Sequence, residues 1–291
     1  MSARPQRIAA VLPRAVSDHI ANIAARALLE ELETWPKPGL VSHVDCGSHN
    51  DMNAGHFERS VVAITPFFAL LAQAGSVSAD MPSLRSIGLD AERAMLAATD
   101  WVNTHRGAIF GLGLLCAAAG FAWFNEPLPH NGWRAAHLCD VVRQRWGSAI
   151  LEGSGSRDTH GGAVQARFGA GGATLQAAQG FPSALKMGLP AFRQSRDAFP
   201  LDKNAARVQA FFSLLASLED TNLLYRGGAE GLSFSQDAAT SFLSTGGITR
   251  SDWCAHAERV HHTFIARRLS PGGCADLLAI TLFLHALERD Q

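Results

Sequence analysis

The residues with chemistry to offer lie in short polar clusters that interrupt long apolar stretches. The most concentrated is Val102-Asn103-Thr104-His105-Arg106-Gly107, which opens directly into Ala108-Ile109-Phe110-Gly111-Leu112-Gly113-Leu114-Leu115-Cys116. If the apolar run is a helix, Asn103, Thr104, His105 and Arg106 stand at its positive end. Unpaired backbone N–H groups and a guanidinium there attract an anion such as phosphate. The plainer reading makes Asn103 or Thr104 a helix cap and leaves Arg106 in solvent, yet a cap alone requires neither His nor Arg.

Other clusters carry two readings each. Lys37 stands between Pro36 and Pro38, and flanking prolines reduce the entropy lost when a lysine is held towards a phosphate; a rigid turn with a solvated lysine has the same sequence. His49 and Asp51 are separated by one residue, which suits a general acid/base beside its partner or a pair of metal ligands. Asp51 can equally cap the next helix. Asp220 follows an apolar run with Phe211, Phe212, Leu214, Leu215 and Leu218, and is a candidate Mg²⁺ ligand or else a helix end. Ser270-Pro271-Gly272-Gly273-Cys274-Ala275-Asp276 reads as a helix start with Ser270 as cap and Pro271 in first position. Asp276, followed by Leu277, Leu278, Ile280 and Leu282, must be paired, ligated or protonated. Arg157-Asp158-Thr159-His160-Gly161 is a binding loop or an ordinary surface loop, and His261-His262 with Arg267-Arg268 read as surface groups that compensate a helix dipole.

These clusters must be positioned by helices. Apolar residues recur every three or four positions from Ser17-Asp18 to Leu32, from Asn53 to Gly75, over 87–99, 133–150, 204–218, 234–243, 252–268 and 275–288. Alternating strand patterns bounded by hairpin turns are nearly absent. The fold class is therefore all-α: a loose tail over 1–16, then one compact multi-helix catalytic domain over 17–291, with a buried central helix near 107–124. That helix approaches membrane-spanning length, but its Gly and Ala content and the lack of a second candidate span read as a helix enclosed by protein. A formal charge of -1 gives no global reason for nucleic acid or an anionic membrane as partner. Five scattered cysteines, Cys46, Cys116, Cys139, Cys254 and Cys274, read as reduced thiols of a cytoplasmic protein.

Taken in order, Pro36-Lys37-Pro38-Gly39-Leu40-Val41, Gly47-Ser48-His49-Asn50-Asp51-Met52, Val102 to Phe110, Thr159-His160-Gly161, Gly180-Phe181-Pro182, Asp220-Thr221-Asn222 and Ser270 to Ala279 resemble the spaced motifs of the triphosphoribosyl-dephospho-CoA synthase family. The resemblance spans about 28–284. It implies an all-helical, Mg²⁺-dependent transferase in which the 2'-hydroxyl of 3'-dephospho-CoA attacks the ribosyl C1 of ATP and adenine leaves. The product would be the prosthetic-group precursor of the acyl carrier subunit of malonate decarboxylase or citrate lyase. Gly47-Ser48-His49 and His105-Arg106 look closer to the malonate decarboxylase branch. The resemblance also links the chain functionally to that carrier and its prosthetic-group transferase, and leaves the oligomeric state open, a homo-oligomer included.

Breaking an N-glycosidic bond through an oxocarbenium-like state needs a base at the hydroxyl, a hydrogen bond or proton for adenine, and cations on the triphosphate. The resemblance accordingly implies His49, Asp51 and His105 as catalytic. It implies Lys37, Asn103, Thr104, Arg106, His160, Arg226 and Ser270 as substrate-binding, and Asp51, Asp220 and Asp276 as carboxylates for Mg²⁺ or for the base. The chain departs from the pattern where Asp100-Trp101 replaces paired glycines, Asn53 and Ser42 replace aspartates, and Ala173-Thr174-Leu175-Gln176 lacks an Arg and a Glu. Trp101 is expected to narrow the phosphate mouth. The altered segment keeps two further readings open: a hydrolase or transferase of another nucleotide N-glycoside, and a catalytically weak protein that binds a nucleotide or a carrier.

Overall fold

A computed structural model describes residues 12–125, 132–153 and 169–289. Among them are eleven α-helices and no strand. Every apolar period identified above lies on a helix. The helices are α1 (Arg14–Glu33), α2 (Ala54–Ser76), α3 (Met81–Ala98), α4 (Arg106–Asn125), α5 (Ala135–Glu152), α6 (Gly172–Ala178), α7 (Leu189–Ala198), α8 (Lys203–Leu215), α9 (Thr221–Ser244), α10 (Trp253–Ala266) and α11 (Gly272–Arg289). A π-helical turn over Ala184–Gly188 leads into α7.

The central element is α4, apolar on all sides, with thirteen of its twenty residues buried. By length and composition it is the single described helix able to cross a membrane. It is instead wrapped by α2, α3, α5 and α11, with α1 closing over α2 and α11. Glycine makes the tightest of these contacts. A Cβ on Gly75 of α2 would lie 1.9 Å from the Ala117 carbonyl oxygen, and one on Gly120 of α4 would lie 1.9 Å from that of Ala72. Those distances are far inside van der Waals contact, so the two backbones meet only because both side chains are absent.

Several helix starts differ from the sequence reading. The first helix begins earlier than its apolar period, at Arg14 after Pro13, and Ser17 is buried inside it with Oγ donating to the Arg14 carbonyl at 2.9 Å. Asn53, not Asp51, caps α2: its Oδ1 accepts from His56 N at 3.3 Å while the His56 ring reaches back to Asn53 N. Asp220 starts a helix rather than ending one. A left-handed Gly228, at φ 62° and ψ -162°, then breaks α9 into two segments.

The α2–α4 contact makes a prediction. Gly120→Ala should lower stability by about 1–3 kcal/mol through overpacking, while Gly88→Ala on α3, where an added Cβ meets nothing within 4 Å, should raise it slightly through helix propensity. Thermal melts of the two variants check this; an unchanged midpoint for Gly120→Ala would refute the backbone-contact account.

Candidate active site

Three helix N-termini, those of α4, α9 and α11, meet around two carboxylates. Asp220 lies just before α9 and is 1% exposed; its Oδ1 accepts from the backbone N–H groups of Asn222 (2.8 Å) and Leu223 (3.2 Å). Its Oδ2 accepts from Cys274 N, in the first turn of α11, at 2.9 Å. One side chain thus caps two helices. Asp276, in that same turn of α11, accepts from Ala108 N at the start of α4. Glycines admit the carboxylates: a Cβ on Gly107 would lie 2.0 Å from Asp276 Oδ2, and one on Gly273 3.0 Å from Asp220 Oδ2. The sequence placed an anion at the mouth of α4. The structure places there the carboxyl group of the protein's own Asp276.

Both carboxyls are poised away from their ordinary range. Burial raises the pKa of Asp220, opposed by its backbone hydrogen bonds. Burial raises that of Asp276 further, and the negative charges of Glu31 and Asp220 add to it.

Glu31 is the residue that sequence reading missed. It lies among acids at the end of α1, and only its place in the buried series Ala24, Ala27, Leu28, Glu31, Leu32 marks it as inward-facing. Lys37, 1% exposed, donates through Nζ to the Glu31 side chain and, at 2.7 Å, to the Glu31 carbonyl. The expected phosphate contact is therefore replaced, in this arrangement, by an internal ion pair. Burial lowers the lysine pKa, with Glu31 opposing that and Arg207 adding to it. The charge of Lys37 is also felt at His105, a 3% exposed imidazole whose Nδ1 is 2.7 Å from Ser60 Oγ. Burial, then Lys37, depress the His105 pKa to about 3, so the ring is neutral.

A second cluster forms where loop 34–53 meets the start of α11. His49 Nε2 is 2.8 Å from Ser270 Oγ, and His49 Nδ1 is 3.3 Å from Asp51 Oδ1. Arg226 of α9 reaches the same ring, with Nη2 3.4 Å from Nδ1. His49, Asp51, Arg226 and Ser270 are thus brought together. Burial lowers the His49 pKa first and Arg226 second, against the opposing pull of Asp51. The Ser270 hydroxyl faces His49 instead of capping α11, which begins two residues later; Asp220 supplies that cap.

The loop is held by His261, fully buried, not on the surface as its sequence position suggested. Its Nδ1 is 3.0 Å from the Lys37 carbonyl and 3.2 Å from Gly39 N, and its Nε2 is 3.0 Å from Asp45. Gly39, left-handed at φ 68°, lets the loop press against residue 269, where a Cβ would come within 2.1 Å of the Leu269 oxygen.

The remaining candidates are dispersed. Asn103 caps α4, its Oδ1 accepting from Arg106 N at 3.2 Å. Thr104 Oγ1 is buried and has no hydrogen-bond partner among the described residues. Arg106 is 45% exposed and paired with Glu92 through Nε at 2.9 Å. His160 lies outside the described residues. Trp101 is 79% exposed, its indole turned to solvent rather than across the site. Asp100 and Trp101 both have positive φ, 54° and 66°, a backbone region that glycine adopts without strain. Gln176 spends its amide on Ser183, linking α6 to the turn after it. Among the described residues no three His, Cys, Asp or Glu side chains gather as a metal-binding group. Asp51, Asp220 and Asp276 therefore do not assemble as one ligand set.

Known sequences carry the same pattern over most of the chain. Residues 17–291 match the family CitG: ATP:dephospho-CoA triphosphoribosyl transferase. A protein of Pectobacterium atrosepticum named 2-(5''-triphosphoribosyl)-3'-dephosphocoenzyme-A synthase is 39% identical over 272 residues, 90% of this chain and 86% of its own. One of the same name from Klebsiella pneumoniae is 36% identical over 293 residues, 97% of this chain and 95% of its own. A probable synthase of Acinetobacter calcoaceticus is 36% identical over 269 residues, 92% and 90% of the two chains. No solved structure matches. By sequence over nearly its whole length, this chain is an enzyme that belongs to the ATP:dephospho-CoA triphosphoribosyl transferase family.

Proposed function

We propose that this chain transfers the triphosphoribosyl group of ATP to the 2'-hydroxyl of 3'-dephospho-CoA. The C1–O bond forms, the C1–N bond to adenine breaks, adenine leaves with the electron pair and takes up a proton, and the hydroxyl proton passes to a base. The observation that carries the reading is His49: an imidazole only 11% exposed, hydrogen-bonded to Ser270 and backed by Asp51, and held uncharged to lower pH than an ordinary histidine by burial and by Arg226. A neutral imidazole with a carboxylate on its second nitrogen is suited to accept that proton, the carboxylate steadying the imidazolium that results.

Arg226 and Arg106, the exposed cations of the two clusters, are assigned to phosphate oxygens, with Asn103, Thr104, His160 and Ser270 completing the substrate contacts. Lys37 serves the site through its charge, held inside by Glu31. The residues fit a Mg²⁺ that arrives on the triphosphate, since Mg²⁺ commonly takes one or two carboxylates and several phosphate or water oxygens. Asp220 and Asp276, whose charges burial disfavours, are the pair that would hold it, and the ion would supply neutralising charge to the triphosphate. The same reading places the enzyme in the cytoplasm, its product serving the acyl carrier subunit of malonate decarboxylase rather than citrate lyase on the strength of Gly47-Ser48-His49 and His105-Arg106.

Incubation with ATP, Mg²⁺ and 3'-dephospho-CoA, followed by mass analysis, tests the reaction. Adenine with a coupled product is expected; adenine alone would make the chain a nucleotide hydrolase, and neither would overturn the reading. His49→Gln should lower turnover by roughly 10²–10⁴-fold. The acid limb of the pH profile should fall below 6.5, because a depressed pKa keeps the base form at lower pH, and Arg226→Gln should move that limb upward. Asp276→Asn should lose most activity without losing thermal stability, since it removes a charge that burial disfavours while the amide oxygen still accepts from Ala108 N; a variant that kept full activity would remove Asp276 from the site.

A further inference from the structure

Ser60 was not among the residues that the sequence brought forward. It lies on α2, 0% exposed, and its Oγ is 2.7 Å from His105 Nδ1, its one hydrogen-bond partner among the described residues. The other ring nitrogen, Nε2, is buried without a partner. Phe57 packs edge-on against the ring with centroids 4.9 Å apart, and the backbone N–H of His105 points at Met95 Sδ at 3.2 Å. The imidazole is therefore clamped in a dry niche immediately before α4, beside the ammonium of Lys37.

A neutral imidazole has one proton and two places to put it, and hydrogen-bond bookkeeping separates them. If Nδ1 carries the proton and donates to Ser60, the serine hydrogen has no acceptor and the Nε2 lone pair no donor, leaving two buried groups unsatisfied. If Ser60 donates its hydrogen to Nδ1, the proton sits on Nε2 and that single N–H is left. Each unsatisfied buried group costs about 1–3 kcal/mol, so the second arrangement prevails.

We propose that Ser60 is a positioning residue that fixes His105 as the Nε2–H tautomer, making its buried edge an uncharged hydrogen-bond donor reserved for an acceptor nitrogen of the nucleotide's departing base. Phe57 beside the ring and Met95 at its backbone are apolar neighbours that suit a planar base better than a hydrated phosphate. Depression of the His105 pKa by burial is consistent with the ring remaining a neutral donor throughout the working range. A neutral imidazole at a helix N-terminus can polarise a substrate in this way without losing its own proton. This function of the donor rests on the reaction proposed above; the tautomer does not.

The test is two-fold. Ring ¹⁵N–¹H correlation spectra of the full chain, with His105→Gln as the assignment control, should show the Nε2–H pattern at His105, and Ser60→Ala should shift it towards a mixture. An Nδ1–H pattern in the parent would overturn the tautomer assignment. In the coupled assay, Ser60→Ala should lower kcat about tenfold, the worth of roughly one hydrogen bond, with KM for ATP changed less than about threefold. Because the Gln amide nitrogen falls near Nε2 and that of Asn near Nδ1, His105→Gln should retain more turnover than His105→Asn. Equal rates, the reverse order, or an unchanged kcat in Ser60→Ala would overturn the donor role. If the parent enzyme released no adenine, the reaction itself would fail while the spectra still decided the tautomer.

Discussion

Three helices direct their positive ends at one small volume, and like ends repel. The dipoles of α4, α9 and α11 each concentrate partial positive charge on unpaired N–H groups, so their convergence calls for acceptor capacity between them. Asp220 and Asp276 provide it, one bridging α9 and α11 and the other tying α11 to α4. The negative charges of Glu31 and Asp220 add to the raised proton affinity of Asp276, and Lys37 pairs with Glu31. The result is a lattice of buried polar contacts that links the three helix starts. The site is also the junction that sets the relative placement of three helices far apart in sequence.

Beside that lattice, the loop over 34–53 carries Lys37 into the interior at one end and His49 towards Ser270 at the other. His261 grips its middle through the Lys37 carbonyl and Asp45, and Ser48 Oγ donates to the Leu269 carbonyl at 2.6 Å. A loop with few regular hydrogen bonds needs such outside anchors to hold its side chains in place.

Local patterns made the helices legible. The three-and-four spacing located the described helical core, and the uniformly apolar run identified α4 as its centre, because burial acts on stretches of sequence that a window can see. What escaped was long-range. Ser270 looked like a cap because caps are normally local, whereas the N–H of Cys274 is satisfied by Asp220, 54 residues away. His261 looked like a dipole partner because nothing nearby announces Asp45. Glu31 and Ser60 are ordinary surface types, and only a helical face shared with buried neighbours places them inside. The short α6 and α7 were missed for another reason: Gly171-Gly172 and Pro190 mark breaks, and such brief helices owe their existence to packing rather than periodicity.

Asp276 at the mouth of α4 has a consequence for which anions the enzyme admits. A bare helix N-terminus welcomes any phosphate, including the inorganic ions abundant around it. Here that welcome is already taken, and an anion that comes without a counter-ion faces two buried carboxylates with raised proton affinity. At the mouth of α4 the Ala108 N–H is spent on a carboxyl of the protein itself, so this helix start offers less to a free phosphate than a bare one does.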